Sequence, residues 1–335
     1  MKTTFCTICC FNYLPKAIAL ATSIKKFHPN THIVLCLVEK HLPKDFDIDK
    51  CFNQVILAKD LPIEQFEWYI FKYDQLEGST FIKATLLKFL LLDYDKVIYL
   101  DPDIYLYSDL SYLISIEHDI VVTPHQISSC SNLEIIDSSI IGFLLCGIFN
   151  LGFICVSKSA VTNVFLDWWE HKLKYYSFLD FNRGLFTDQK WIDIAFVQFN
   201  IHSLKEYGYN VANWNINERE LNVAQNGEII VNNKEKLRFF HYSSIDSGKD
   251  LRIFKLLASD ATFRIVNELR NKYKSEINLL NSNGINQIDW SYNYFNNGEK
   301  INKLSRFTFF KNKEIRKALI NPFDSNNEYI LSIGY

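Results

Sequence analysis

Val97-Ile98-Tyr99-Leu100-Asp101-Pro102-Asp103-Ile104-Tyr105-Leu106 joins an apolar, β-forming run to two carboxylates spaced one residue apart. On extended backbone, residues i and i+2 project to the same side, so both carboxylates can face one ion. Pro102 fixes its own φ at about −65° and biases Asp101 toward extended backbone. Two carboxylates displayed at a strand end suit a hard divalent cation, Mg²⁺ or Mn²⁺. Such a cation takes one or two carboxylates and fills its other positions with water and phosphate oxygens. An ordinary acidic turn has the same spacing, so the rest of the chain has to decide between them.

The chain of 335 residues is long enough for a large core, and 48% hydrophobic against 22% charged residues is the balance of a globular protein rather than a disordered one. A net charge of −2 gives no reason to expect nucleic acid as a partner. Most of the cysteines lie inside apolar runs, where Cys acts as a small hydrophobe, and Cys6-x-x-Cys9 has no second Cys/His pair to complete a zinc site. The N-terminus carries no long apolar signal core, which leads us to expect a cytoplasmic protein. Ser138–Ser157 is a run of twenty uncharged residues, long enough for a membrane span. Gly142, Gly147, Gly152 and Asn150 interrupt it, and a buried strand preceded by a loop is the better expectation.

Upstream, Thr3–Cys10 reads as a buried strand, Asn12–Pro15 as a turn and Lys16–Phe27 as a helix, with strands following at Thr31–Val38 and Gln54–Ala58. This alternation predicts an α/β sheet whose ligands bind beyond the carboxyl ends of its strands, beside Asn12 and Tyr13. No G-x-G-x-x-G or Walker loop is present, which argues against a dinucleotide or P-loop enzyme. Ser79-Thr80 is expected to cap a helix over Phe81–Leu92 that carries Lys83. Further strands are expected at Asp119–Pro124 and Ile148–Ser157, helices at Val161–Tyr176 and Asp188–Phe199, and a strand at Leu237–Phe240 that delivers His241. Lys300–Lys317 carries seven basic residues and one acid, Glu314, interleaved with Phe307, Phe309 and Phe310. Such a stretch can touch an anionic membrane surface, although the composition favours the solvated face of a packed appendage.

Taken in order, these pieces resemble the nucleotide-sugar glycosyltransferases of the GT-A fold, in particular bacterial enzymes similar to glycosyltransferase family 8. The resemblance is carried by Asn12-Tyr13, Lys83, the Val97–Ile104 strand, Phe149-Asn150-Leu151-Gly152-Phe153-Ile154, Asp188-Gln189 and Phe240-His241-Tyr242-Ser243. It implies a Rossmann-like, mostly parallel mixed sheet flanked by helices over residues 1–250, with a helical and irregular C-terminal extension over 251–335. It implies that Asp101, Asp103 and His241 hold Mn²⁺ or Mg²⁺, with manganese favoured by the imidazole. Lys83 would neutralise diphosphate charge, and Asn12 and Tyr13 would hold base and ribose. Asn150 and Asp188 would bond donor-sugar hydroxyls, and Gln189 would lie near the reacting carbon. Asp188 and Gln189 are thus the candidate catalytic pair. The implied partners are a nucleotide-sugar donor, with a UDP-sugar favoured, and a glycan or lipid-linked acceptor; retention is slightly favoured over inversion. Where family 8 proteins often place Gly-x-x-Lys-Pro-Trp after the late His, this chain has only a displaced Gly248-Lys249. Two other readings are a haloacid-dehalogenase-like phosphatase, which also places Asp-x-Asp after a strand, and a non-catalytic carbohydrate-binding relative.

Overall fold

The computed structural model of the chain describes residues 1–43 and 51–324. Seven strands form the central sheet: β1 (Thr3–Cys9), β2 (His32–Leu37), β3 (Gln54–Leu57), β4 (Lys96–Leu100), β5 (Ile120–Pro124), β6 (Phe149–Ser157) and β7 (His202–Ser203). Their spatial order is β7-β5-β6-β4-β1-β2-β3, and β6 alone runs antiparallel to its neighbours. β1 shows why the sheet is covered on both faces. Phe5 and Cys9 point into one apolar cluster with Leu14, Ala17, Leu20 and Ile24 of helix α1 (Leu14–Phe27). Cys6 and Ile8 point into the other, with Leu86 and Leu87 of α2 (Lys83–Leu90) and Phe165 and Trp169 of α3 (Ala160–Tyr176). Side chains that alternate along a strand supply two cores at once.

The chain leaves β1 for β2 and β3 on one side and returns to β4 on the other. The crevice beyond the carboxyl ends of β1 and β4 is therefore the topological switch point, where such sheets bind ligands. A second, three-stranded sheet lies against it, pairing Phe239–His241 with Ile104–Leu106 antiparallel and with Val211–Ala212 parallel. Helix Asp260–Leu280 contributes Val266, Tyr273 and Ile277 to the core beneath this small sheet.

Residues 285–324 run back across the molecule and bury Trp290, Tyr292, Phe295, Phe309 and Phe323 in the same cluster as Phe66, Ile70 and Phe71. Two polar ties fix them. Buried Glu39, just past β2, accepts from the Phe11 N–H (3.0 Å) and from the Ser291 N–H (2.9 Å) and hydroxyl. Arg306 donates to the Phe71 (2.6 Å), Tyr73 (2.9 Å) and Tyr292 (2.7 Å) carbonyls. Residues 325–335 of the expected extension lie outside the described residues.

Several local expectations are corrected. Asp101–Ile104 is a turn closed by the Ile104 N–H on the Asp101 carbonyl (3.1 Å), not continuous strand, with Pro102 at the second position that turns favour. Pro15 lies in the first turn of α1, where a missing N–H costs nothing. Ser79 and Thr80 cap no helix and bond back to the Gln75 and Leu76 carbonyls. The cap is Asp74, which forms a reciprocal box with Glu77 at the start of Gln75–Phe81. Ahead of β6 the uncharged run is helical up to Cys146 rather than a loop. No helix of the described residues is long and apolar enough to cross a membrane.

Candidate active site

β4 ends at Leu100, and the Asp101 N–H donates to the Gly152 carbonyl of β6 (2.7 Å). The small sheet sets His241 opposite Ile104, and the Tyr242 N–H donates to the Asp103 carbonyl (2.8 Å). These backbone bonds bring together three side chains that are up to 140 positions apart, as ~140 residues of intervening chain fold between them. His241 Nε2 lies 3.0 Å from Asp103 Oδ1 and 3.9 Å from Asp101 Oδ2. One ligand atom from each of Asp101, Asp103 and His241 falls within 4.8 Å of the other two. The imidazole fits only because residue 152 is glycine: a Cβ there would lie 2.4 Å from His241 Cε1.

The charges in this cluster are unevenly placed. Burial raises the Asp101 carboxyl, with Lys83 and His241 acting against the rise. Burial would also raise Asp103, but His241 outweighs it and holds that carboxyl below its usual range. His241 itself is depressed by burial and raised by Asp103 and then Asp101, with a net rise. The His241 imidazole is thus the group that offsets the Asp103 charge. Beneath them, buried Lys83 is 2.5 Å from Asp188 and 3.7 Å from Asp101 and donates to the Leu151 carbonyl (2.8 Å). Its amine is held up by these acids against burial.

A set of side-chain amides lies alongside. Asn150 Oδ1 accepts from the Gly152 N–H (3.1 Å) and from Asn210 Nδ2 (3.0 Å), while its Nδ2 donates to Gln189 Oε1 (3.2 Å). Gln189 Oε1 also accepts from the Leu151 N–H (3.1 Å), and Gln189 Nε2 donates to the Cys146 carbonyl (2.9 Å). Asn210 turns its Oδ1 to His241 Nδ1 (3.3 Å). Asn12 accepts from Gln75 Nε2 (2.7 Å), and Tyr13 carries Lys16 over its ring (4.0 Å). Burial, then Asp103, Asp246 and Asp101, push the Tyr13 hydroxyl up.

The residues taken from the sequence therefore fall into linked groups. Asp101, Asp103 and His241 converge; Lys83 and Asp188 form an ion pair under Asp101; Asn150 and Gln189 form an amide pair joined to His241 through Asn210. Sequence reasoning gave no role to Asn210, to Tyr99, whose hydroxyl donates to Asp101 Oδ1 (2.6 Å), or to Trp214, set edge-on to His241 at 5.1 Å. Tyr99 alone had a signal, because it precedes Asp101 by two residues at the end of an apolar, β-forming run.

Two carboxylates and one imidazole, with Asp101 the most open at 30% side-chain exposure, form a donor set that fits one divalent cation of the Mn²⁺ or Mg²⁺ type. Half of the coordination shell would be left for oxygens of a ligand, as at sites that bind phosphates.

The description of glycosyl transferase family 8 matches residues 6–196, more than half of the chain, ending before His241. Comparison with curated protein sequences gives no match. Among solved structures, the glycosyltransferase GlyE of Streptococcus pneumoniae TIGR4 in its apo form is similar at 16% identity and TM-score 0.46, over 85% of this chain and 64% of that one. The bifunctional glycosyltransferase WbbM is similar at 14% identity and TM-score 0.44, over 63% of this chain and 40% of that one. The galactosyltransferase LgtC, crystallised with donor and acceptor sugar analogues, is similar at 16% identity and TM-score 0.37, over 62% of this chain and 75% of that one. With the switch-point crevice, the Asp-Pro-Asp turn and a family match running from β1 to the helix at Trp191–Gln198, the chain belongs to glycosyl transferase family 8.

Proposed function

We propose that the protein is a cation-dependent glycosyltransferase that moves a sugar from a nucleotide-sugar donor, a UDP-sugar by preference, to a glycan or lipid-linked acceptor in polysaccharide or glycoconjugate assembly. The observation that carries this reading is the convergence of Asp101, Asp103 and His241 at the switch point of a family 8 chain. Asp101, Asp103 and His241 would hold the cation, Mn²⁺ or Mg²⁺, with the imidazole favouring manganese. A bound cation supplies positive charge where the departing nucleoside diphosphate becomes more negative.

The remaining roles belong to this chain's own groups. Lys83 supports Asp101 from below, so its charge reaches the diphosphate chiefly through the carboxylate it touches. Asn12 and Tyr13, in the short turn of helix that follows β1, would meet base and ribose. Asp188 and Gln189 begin the turn before Trp191–Gln198 and are assigned to the reacting sugar with Asn150. Asp188 is ion-paired to Lys83, so it is poorly placed to remove a proton as a free base. That favours retention, which needs no strong base.

In Lys303–Lys311 the helix turns Arg306 and Phe309 inward and leaves Lys303, Phe307 and Lys311 on one exposed stripe. We assign to this stripe a peripheral contact with an anionic membrane from the cytoplasmic side.

The test is a thermal-shift panel of UDP, GDP, CMP and dTDP with Mn²⁺ or with EDTA. One nucleotide at about 100 times its Kd should add roughly 2.7 kcal/mol, with Mn²⁺ only. A nucleotide response that is equal in EDTA would reject the cation. No response to any nucleotide, with phosphate released from sugar phosphates, would return the phosphatase reading.

A further inference from the structure

We infer that Asn210 is a positioning residue for the cation site: it ends a relay of side-chain amides that fixes which nitrogen of His241 faces Asp101 and Asp103. The inference rests on the cation-binding reading of the site given above.

The orientation of each amide follows from backbone groups whose identity is not in question. The Leu151 and Gly152 N–H groups can only donate, so the atoms they meet, Gln189 Oε1 (3.1 Å) and Asn150 Oδ1 (3.1 Å), are the amide oxygens. The Cys146 carbonyl can only accept, which independently fixes Gln189 Nε2 toward it (2.9 Å). Asn150 Nδ2 is thereby directed at Gln189 Oε1 (3.2 Å), leaving Asn150 Oδ1 facing Asn210. An acceptor must be met by a donor, so the Asn210 atom 3.0 Å away is its nitrogen. The same nitrogen donates to Thr123 Oγ1 (2.8 Å). The only group Asn210 has left for His241 is its oxygen, 3.3 Å from Nδ1.

Nδ1 must therefore carry the proton, and the Nε2 lone pair is the one presented to the carboxylates when a cation replaces the Nε2 proton. Outer partners of this kind orient ligating histidines and raise their basicity. Asn210 is built for the task rather than left there by packing. It is 1% exposed, its carbonyl accepts from Asn215 Nδ2 (3.0 Å), and its φ of +50° is one that Asn tolerates better than most residues. A side chain on regular strand at this point would have its Cβ aimed elsewhere.

The experiment titrates Mn²⁺ into full-length protein and reads free Mn²⁺ by electron paramagnetic resonance, alongside the melting temperature without metal. Asn210→Gly keeps the backbone conformation accessible and deletes the side chain with its bonds to His241, Asn150 and Thr123. It should weaken Mn²⁺ binding roughly 10- to 100-fold. Asn210→Asp restores an acceptor for Nδ1–H but sets an oxygen against Asn150 Oδ1, so it should recover part of that loss. Thr123→Val removes the other partner of the same amide and should leave Mn²⁺ affinity within about twofold, the separation expected of a relay acting through His241. In metal-free protein, the His241 Nδ1–H should give a slowly exchanging imidazole resonance that disappears in Asn210→Gly. Wild-type binding with an unchanged Asn210→Gly, or a wild-type Nδ1 without a proton, overturns the role of Asn210 alone. A wild type that binds no Mn²⁺ overturns the cation site and this inference with it.

Discussion

Two of the buried charge sites among the described residues are completed differently. Arg306 is a single cation ringed by neutral acceptors, the carbonyls of Phe71, Tyr73 and Tyr292 and the side chain of Asn293. Burial lowers its guanidinium only to about 10, so it stays charged, and both of its terminal nitrogens are bonded. Asp101 and Asp103 form the opposite case, two acids drawn close by backbone bonds and answered by one imidazole and one lysine. Burial holds Asp101 up while His241 holds Asp103 down, and with Asp188 also on Lys83 the cluster sets three acids against one lysine and one imidazole. A cluster that closes on itself stabilises the fold; a cluster left short of positive charge is a place for a ligand.

Substitutions at the two clusters should therefore fail in different assays. Asp103→Asn should lower sugar transfer by roughly 10³-fold, about 4 kcal/mol at the transition state, with little change in metal-free melting. Parallel turnover and melting measurements check this, and a large loss of stability with activity retained per folded molecule would erase the contrast. Arg306→Met should do the reverse. Stranding three buried carbonyls is expected to cost about 3 kcal/mol in urea unfolding, while the folded fraction still responds to Mn²⁺. Gly152→Ala sharpens the comparison within the site, because the added methyl must displace His241. Mn²⁺ binding should fall roughly tenfold, about 1.4 kcal/mol, in a calorimetric titration. The smallest effect is expected at Ser291→Ala, which removes one of two bonds from the C-terminal return to Glu39. A loss of about 1 kcal/mol in urea unfolding with turnover unchanged would match a purely structural tie.

The contrast also explains what could be read early. Asp101 and Asp103 were legible because a β-forming run ending in Asp-Pro-Asp is a local pattern, and the turn that replaced extended backbone still presents both carboxylates. The Asp74 cap was passed over because Ser79-Thr80 looks equally able to cap; only the hydrogen bonds rank them. The helical turns before β6 were read as loop because a short uncharged run with glycines carries no clear period. Glu39 gave no warning, since an acid after a strand is ordinarily solvated, and its partner Ser291 lies about 250 residues further on.

By itself the sequence determined the alternation of strands and helices, the two faces of β1, the carboxylates at the end of β4 and the late histidine, because each depends on side-chain period or on neighbours in the chain. The tertiary structure alone decided that Lys83 lies beneath Asp101 in an ion pair with Asp188, that Arg306 faces inward from a basic stretch, and that Asn210 reaches His241. Those outcomes turn on which buried polar atom finds which partner across the folded chain. Burial makes an unpaired group costly, but where the partner comes from is set by packing, not by spacing along the sequence.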